Sequence, residues 1–366
     1  MKSNYDILGN HIRLIDTRNR ESITDRVLGI NIDKFFMPSV ANVIGTDLSK
    51  YKLITKGKFA CNPMHVGRDE RLPVALYDEE EPAIVSPAYF MFEVIDNSIL
   101  NEDYLMMWFR RPEFDRICWL HTDGSVRGGI TWDDICRLEL PIPPIEKQFE
   151  IVNSYKAITE RIALKQKIND NLDATIYAKF QDMFQKNKEI LFSGEQLEDW
   201  CIKPLSFLAD FKYGKMATSE ILCEKGFPVY SGYRTVGYCN KYMFKEPQLV
   251  VLARGVSGTG EVRISPPCCH LTNLSIAVLL YDRTYINYLL YYLENDNLIS
   301  LDSGSAQSQI TINDLSMHKV MLPPYSKVVE FDNIAKQLRS IIDENNKEIE
   351  VLEELKKVLL TTISSR

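Results

Sequence analysis

Hydrophobic and polar positions along this chain keep two rhythms, and the change from one to the other happens twice. From Ile151 the chain steps by four and three through Tyr155, Ile158, Ile162, Lys165, Asn169, Leu172 and Ile176. From Ile334 the same steps run through Leu338, Ile341, Asn345, Leu352, Leu355 and Leu359, with Glu348 as the misfit. A period of 3.5 residues held over about four heptads marks a coiled-coil seam rather than an ordinary surface helix. Each stretch opens at a Pro-Pro pair, Pro143-Pro144 and Pro323-Pro324. Each runs for about 40 residues and so spans about 60 Å. A rod of that length cannot bury its seam alone, so the two helices are expected to pair, and a twofold relation between like halves favours an antiparallel pair. Asn169 and Asn345 fall on the seam. An amide there either fixes register at a cost in stability or stays solvated at a frayed edge.

Ahead of each rod the rhythm is that of short strands broken by Gly, Pro, Asn and Asp. Leu53-Ile54, Lys58–Cys61, Ala83–Val85 and Tyr89–Val94 read as strands, Asn101–Phe114 as a helical patch. In the second half Leu249–Leu252 and Leu274–Leu280 read as strands, Tyr285–Leu293 as the helical patch and Asp302–Gln309 as a polar loop. Landmarks stay collinear: Ser86 with Thr272, Tyr104-Leu105 with Tyr288-Leu289, Gly124-Ser125 with Gly304-Ser305, Ile130-Thr131 and Asp134 with Ile310-Thr311 and Asp314. Order held at several separate places indicates an internal duplication.

With 366 residues, the chain has room for two or three domains. No stretch approaches the roughly 18 uninterrupted apolar residues of a membrane helix, and MKSNYDILGN has no apolar signal core, so a cytoplasmic location is expected. The eight cysteines show no C-x-x-C spacing and read as free thiols. A net charge of −7 rules out a protein coated with basic residues but not a local basic patch. Residues 203–280 hold nine Lys and Arg against five acids, a surplus of four positive charges in a chain that is negative overall.

Catalytic motifs fail one by one. Asn62-Pro63-Met64 lacks the second Pro and the aromatic with which adenine methyltransferases hold their target amine. Gly255–Gly260 matches neither phosphate-cradling glycine pattern, because Glu261–Ile264 reads as strand rather than helix. Cys268-Cys269-His270 has no second ligand pair nearby for a metal. Five histidines show no nucleophile–base pairing, so the chain reads as non-catalytic, with no cofactor of its own.

Binding chemistry is better represented. The loop from Arg254 to Arg263 follows a buried strand; its glycines would let backbone N–H groups, with Ser257, approach a phosphate, while the two arginines neutralise phosphate or fork onto guanine. The equivalent tract Asn62–Arg71 again combines Gly with two arginines, Arg68 and Arg71. A plain hairpin tip would look similar. Gln307 and Gln309 suit adenine edges, and Arg127 stands where the second unit has Gln307; these loops could equally be connectors. Lys212, Lys215 and Arg234 complete the basic set, the last inside an aromatic–basic run from Tyr230 to Tyr242 that also fits a half-exposed strand.

Taken together, the chain resembles the specificity subunits of type I restriction–modification systems. The resemblance spans essentially the whole chain. It rests on the twofold alternation of globular unit and long helix, and on Leu140-Pro141-Ile142-Pro143-Pro144-Ile145-Glu146-Lys147-Gln148, similar to that family's signature at the entry to its spacer helix. Phe59–Met64, Val85–Tyr89, Gly226–Val229 and Gly237-Tyr238 are similar to segments of its target-recognition domains. The resemblance implies that each globular unit reads half of a split duplex DNA site while the helices set the gap. It further implies docking of two modification subunits, for which Glu146, Gln148, Phe149 and Val152 at the helix entry are the candidate contacts. Those partners would bring S-adenosylmethionine and methylate adenine, and motor–nuclease subunits could join.

The expected fold is α+β: two β-rich target-recognition domains separated by two long helices that pair as an antiparallel coiled coil with pseudo-twofold symmetry. The expected segments are 1–144, a spacer helix over 145–186, a second recognition domain over 187–324 and a C-terminal spacer helix over 325–366. A protein-binding scaffold with two β-rich modules is the competing reading. Because Arg127 faces Gln307 across otherwise similar frames, the expected target is asymmetric.

Overall fold

Strand gives way to helix at both Pro-Pro pairs. In the computed structural model, which describes residues 5–363 apart from 65, 123–127, 195–196, 256–257 and 302–308, one helix runs Ile145–Phe180 and another Tyr325–Thr362. The first continues through a π-helical turn, Gln181–Gln185, into Lys186–Phe192. The chain divides into two compact units, each holding one β-rich body and half of each long helix: residues 1–165 with 347–366, and residues 166–346.

The β-rich body of unit one has two four-stranded sheets. The first orders Ile12–Ile15, Phe90–Val94, Phe59–Cys61 and Val74–Leu76, all antiparallel. The second orders Phe36–Pro38, Val27–Ile30, Ala83–Val85 and Lys52–Ile54, with Val27–Ile30 parallel to Ala83–Val85. Unit two repeats the scheme. Ala209–Tyr213, Ser275–Leu280, Leu249–Leu252 and Val262–Ile264 form its antiparallel sheet. In the other, Phe227–Tyr230 runs parallel to His270-Leu271 and antiparallel to Thr235–Cys239. The strands buried on both faces, such as Leu249–Leu252, are continuous apolar runs, as strands in a covered sheet must be.

The duplication is therefore physical. Thr131 and Thr311 each cap a short helix through a reciprocal box with Asp134 and Asp314. The buried hydroxyls of Tyr104 and Tyr288 donate to the carbonyls of Pro141 (3.1 Å) and Met321 (2.7 Å), tying each helical patch to the strand before its Pro-Pro pair. That strand pairs with one from the start of the body, Tyr5–Ile7 with Glu139–Pro141 and Cys201–Pro204 with Lys319–Leu322. One expectation changes: the patch over Asn101–Phe114 is two helices, Glu102–Phe109 and Pro112–Leu120, because Pro112 starts a new helix at its first position.

Within each unit the two helices run antiparallel. In unit one Val152 and Tyr155 share a core with Ile363 and Leu359, and Arg161 and Lys165 reach Glu348 at 2.6 and 2.8 Å. In unit two Ile176, Phe180 and Phe184 pack with Phe331 and Ala335, and the Asn345 amide donates to the Asn169 carbonyl at 2.8 Å. Asn169 also donates to Asn346 at 2.9 Å, so the seam amides are paired, not solvated. Tyr155, Ile162, Asn169 and Ile176 are buried at intervals of one heptad, as read from the sequence. On the second helix the phase differs. Its heptad-spaced buried and half-buried positions include Val328, Phe331, Ala335, Leu338, Ile342, Asn345, Ile349, Leu352, Lys356, Leu359 and Ile363, while Ile341 and Leu355 lie exposed. Both phases obey the three–four rule; the paired helix selects the one that steps by four from Asn345 to Ile349 and then by three to Leu352. Glu348 is consequently a flank position, and its pairing with Arg161 and Lys165 explains its misfit.

Candidate nucleic-acid interface

In unit two, loops far apart in sequence converge on the turn between His270-Leu271 and Ser275–Leu280. Lys215 N–H donates to the Leu271 carbonyl (2.8 Å), and Ala253 and Arg254 N–H both donate to Leu274 (2.8 and 3.1 Å). The Ser275 hydroxyl donates to the Ser231 carbonyl (2.9 Å), and Ser231 N–H to Arg234 (2.9 Å). Ile310 N–H donates to Ala253 (2.9 Å), and Arg254 bridges Gln309 through the backbone. Gly214 is needed here, because a Cβ would lie 1.9 Å from the Thr272 carbonyl oxygen.

The side chains at this rim are exposed cations. Lys212 stands over Phe244 with its ammonium 5.8 Å from the ring centre, and Arg234 lies 5.4 Å over Tyr233. Lys215 and Arg254 are exposed as well. Gln309 is half-buried beside Arg254. Arg263 is a different case. From strand Val262–Ile264 its guanidinium donates to Glu294 (3.2 Å) and Glu261 (3.1 Å). Burial pushes the Glu294 carboxyl up, against the pull of Arg263, so Arg263 serves as that carboxylate's counter-charge.

Unit one makes the same convergence. Ile130 N–H donates to Pro63 (3.2 Å) and Gly67 N–H to Gly128 (3.0 Å), which brings the Asn62–Arg71 tract to the loop before Thr131. The arginines of that tract are engaged. Arg68 pairs with Asp69 at 2.6 Å and Arg71 with Asp33 at 2.9 Å; Arg18 pairs with Asp16 at 2.6 Å. The carboxylate of Asp69 holds the Arg68 guanidinium above its ordinary range. Beside them lies a cleft of about 780 Å³ lined by Asp33, Lys34, Arg71 and Asp115, among others. Lys34 is buried there against Asp115 (2.6 Å) and the Leu72 carbonyl (2.8 Å), its ammonium pushed down by burial. Arg127, Ser257 and Gln307 lie outside the described residues.

At the helix entry the candidate partner contacts split. Glu146 and Phe149 are exposed. Gln148 and Val152 are corrected to internal roles: Val152 belongs to the core of unit one, and Gln148 is fully buried. The Gln148 amide donates to Ile99 and Pro143 (both 2.8 Å) and accepts from Asn101 N–H (2.9 Å). Sequence reasoning overlooked the carboxylates. Asp69 beside Arg68 was visible in the sequence; Asp33, 38 residues from Arg71, required the fold.

Residues 197–356 match the family described as "Type I restriction modification DNA specificity domain". The match covers most of the second β-rich body and part of the C-terminal helix. The chain is 25% identical to the putative type I restriction enzyme MjaX specificity subunit of Methanocaldococcus jannaschii, over 99% of this chain and 88% of that one. Its fold is like that of the type I restriction–modification S subunit from M. genitalium, with a TM-score of 0.66 at 17% identity, over 100% of this chain and 97% of that one. Over residues 197–356 the chain therefore carries a type I restriction–modification DNA specificity domain, and over nearly its whole length it is similar to a specificity subunit. Among the described residues, no helix is long and apolar enough to cross a membrane.

Proposed function

We propose that this chain reads a bipartite, asymmetric duplex DNA site, one half through each unit, while the helices set the gap and dock two modification subunits. It does this in the cytoplasm and catalyses nothing itself: the partners bind S-adenosylmethionine and methylate adenine, and motor–nuclease subunits can join them. The observation that carries this reading is the repeated convergence of the same loops at the same rim, tied through Pro63 and Ile130 in one unit and Ala253 and Ile310 in the other. The frame recurs and the side chains on it differ, as two unequal half-sites require. The exposed cations of unit two favour a polyanion over a protein partner.

The test is a map of methylated adenines in the source genome. A split motif with unlike halves is expected. One heptad inserted in both helices, after Lys165 and after Asn346, adds about 10 Å and should lengthen the gap by about three base pairs. An unchanged gap in the variant's methylome would remove the helices from any measuring role.

A further inference from the structure

The two rims share an architecture and differ in electrostatics. In unit two the converging tracts Phe211–Ser219, Tyr230–Tyr242, Arg254–Arg263 and His270–Tyr281 contain Lys212, Lys215, Arg234, Lys241 and Arg254, and their one acid, Glu261, is held by Arg263. Among the described residues, none of these five cations has a carboxylate within ion-pair distance. In unit one the Asn62–Arg71 tract holds Asp69 and Glu70, and both its arginines are paired, Arg68 with Asp69 and Arg71 with Asp33; Arg18 pairs with Asp16 and Lys34 with Asp115, while Arg110 and Arg116 at the cleft have no carboxylate within ion-pair distance among the described residues. A free surface cation meeting a phosphate releases condensed counter-ions. A cation already holding a carboxylate must exchange one anion for another and leaves the displaced carboxylate facing the duplex.

We propose that the units divide the work of holding DNA. The cation-rich rim of unit two anchors the phosphate backbone and supplies most of the salt-dependent, sequence-independent affinity. The rim of unit one is self-neutralised, adds little to non-specific binding, and engages where base contacts repay the exchange of Asp33 and Asp69 for DNA. Its carboxylates thereby act as specificity determinants that hold unit one off non-cognate duplex. This rests on the reading of both units as DNA-binding.

The experiment measures binding of the full chain, with the subunits that co-purify with it, to a random-sequence 30-base-pair duplex over a range of salt. Each phosphate neutralised contributes about 0.9 to the slope of log K against log salt, so K212Q/K215Q/R254Q should flatten the slope by about 2–3. R68Q/R71Q should change it by less than about 0.5, and D33N/D69N, which frees Arg68 and Arg71, should steepen it by about 1–2. The gain in D33N/D69N guards against loss by misfolding. Equal flattening by the two cation-removing variants, or no steepening in D33N/D69N, overturns the division of labour while leaving DNA recognition standing. No duplex binding by the wild-type protein overturns both.

Discussion

Replacing Gln148 by Ala should destabilise unit one far more than the loss of an exposed docking residue could. The side chain is fully buried and makes three hydrogen bonds, two donated to the carbonyls of Ile99 and Pro143 and one accepted from Asn101 N–H. Asn101 is the N-cap of Glu102–Phe109, accepting from Tyr104 N–H through its own side chain. The Ala variant removes the partner of two acceptors and one donor at a part-buried site. At about 1–2 kcal/mol for each group, the expected loss is about 3–5 kcal/mol, a large fraction of the 5–15 kcal/mol typical of a domain. Urea unfolding followed by far-UV dichroism, with hydrogen exchange at the Asn101 amide, reads both the total and its location. Gln148→Glu adds a pH signature. A carboxylate there faces two carbonyl oxygens, which raises its pKa above the unfolded value, so its penalty is present at neutral pH and relieved as acid protonates it. An Ala variant within about 0.5 kcal/mol of wild type, with Asn101 still protected, would refute the internal role and return Gln148 to the docking surface.

Two further outcomes follow from the paired helices and from unit two. Asn345→Leu leaves the Asn169 side-chain oxygen without its donor in the seam and should cost about 1–3 kcal/mol, whereas N169L/N345L should recover that loss; thermal melts showing no single-variant cost would contradict the amide pairing. Asp296 accepts from His318 (2.9 Å) and pairs with Lys188 (3.2 Å). Burial raises its pKa, but the His318 hydrogen bond and Lys188 together outweigh burial and hold the carboxyl below its ordinary value. A lowered acid stabilises above its unfolded pKa and loses that contribution as pH falls through the folded value. Unit two should therefore weaken below about pH 4, and D296N should flatten that limb of the acid-unfolding curve.

Each level of this molecule was legible to the extent that its interactions are local or periodic. The two rods, their lengths, the seam positions of Asn169 and Asn345 and the duplication marked by Thr131 and Thr311 follow from spacing in the sequence alone, because a helix repeats its environment every few residues. The phase at Ile341-Ile342 did not, since adjacent apolar residues satisfy the same rule and only the opposing helix distinguishes them. Gln148 looked like a surface signature until Ile99 and Asn101, nearly 50 residues away, were seen to close around it. The arginines at both rims were readable as residue types, but their availability was not: whether a guanidinium is free for phosphate depends on a carboxylate that sheet pairing brings from elsewhere, as it brings Asp33 to Arg71. Sequence thus determined which groups the protein owns and how its helices repeat. Tertiary structure decided which of those groups are already spoken for, because pairing and burial are properties of neighbours in space.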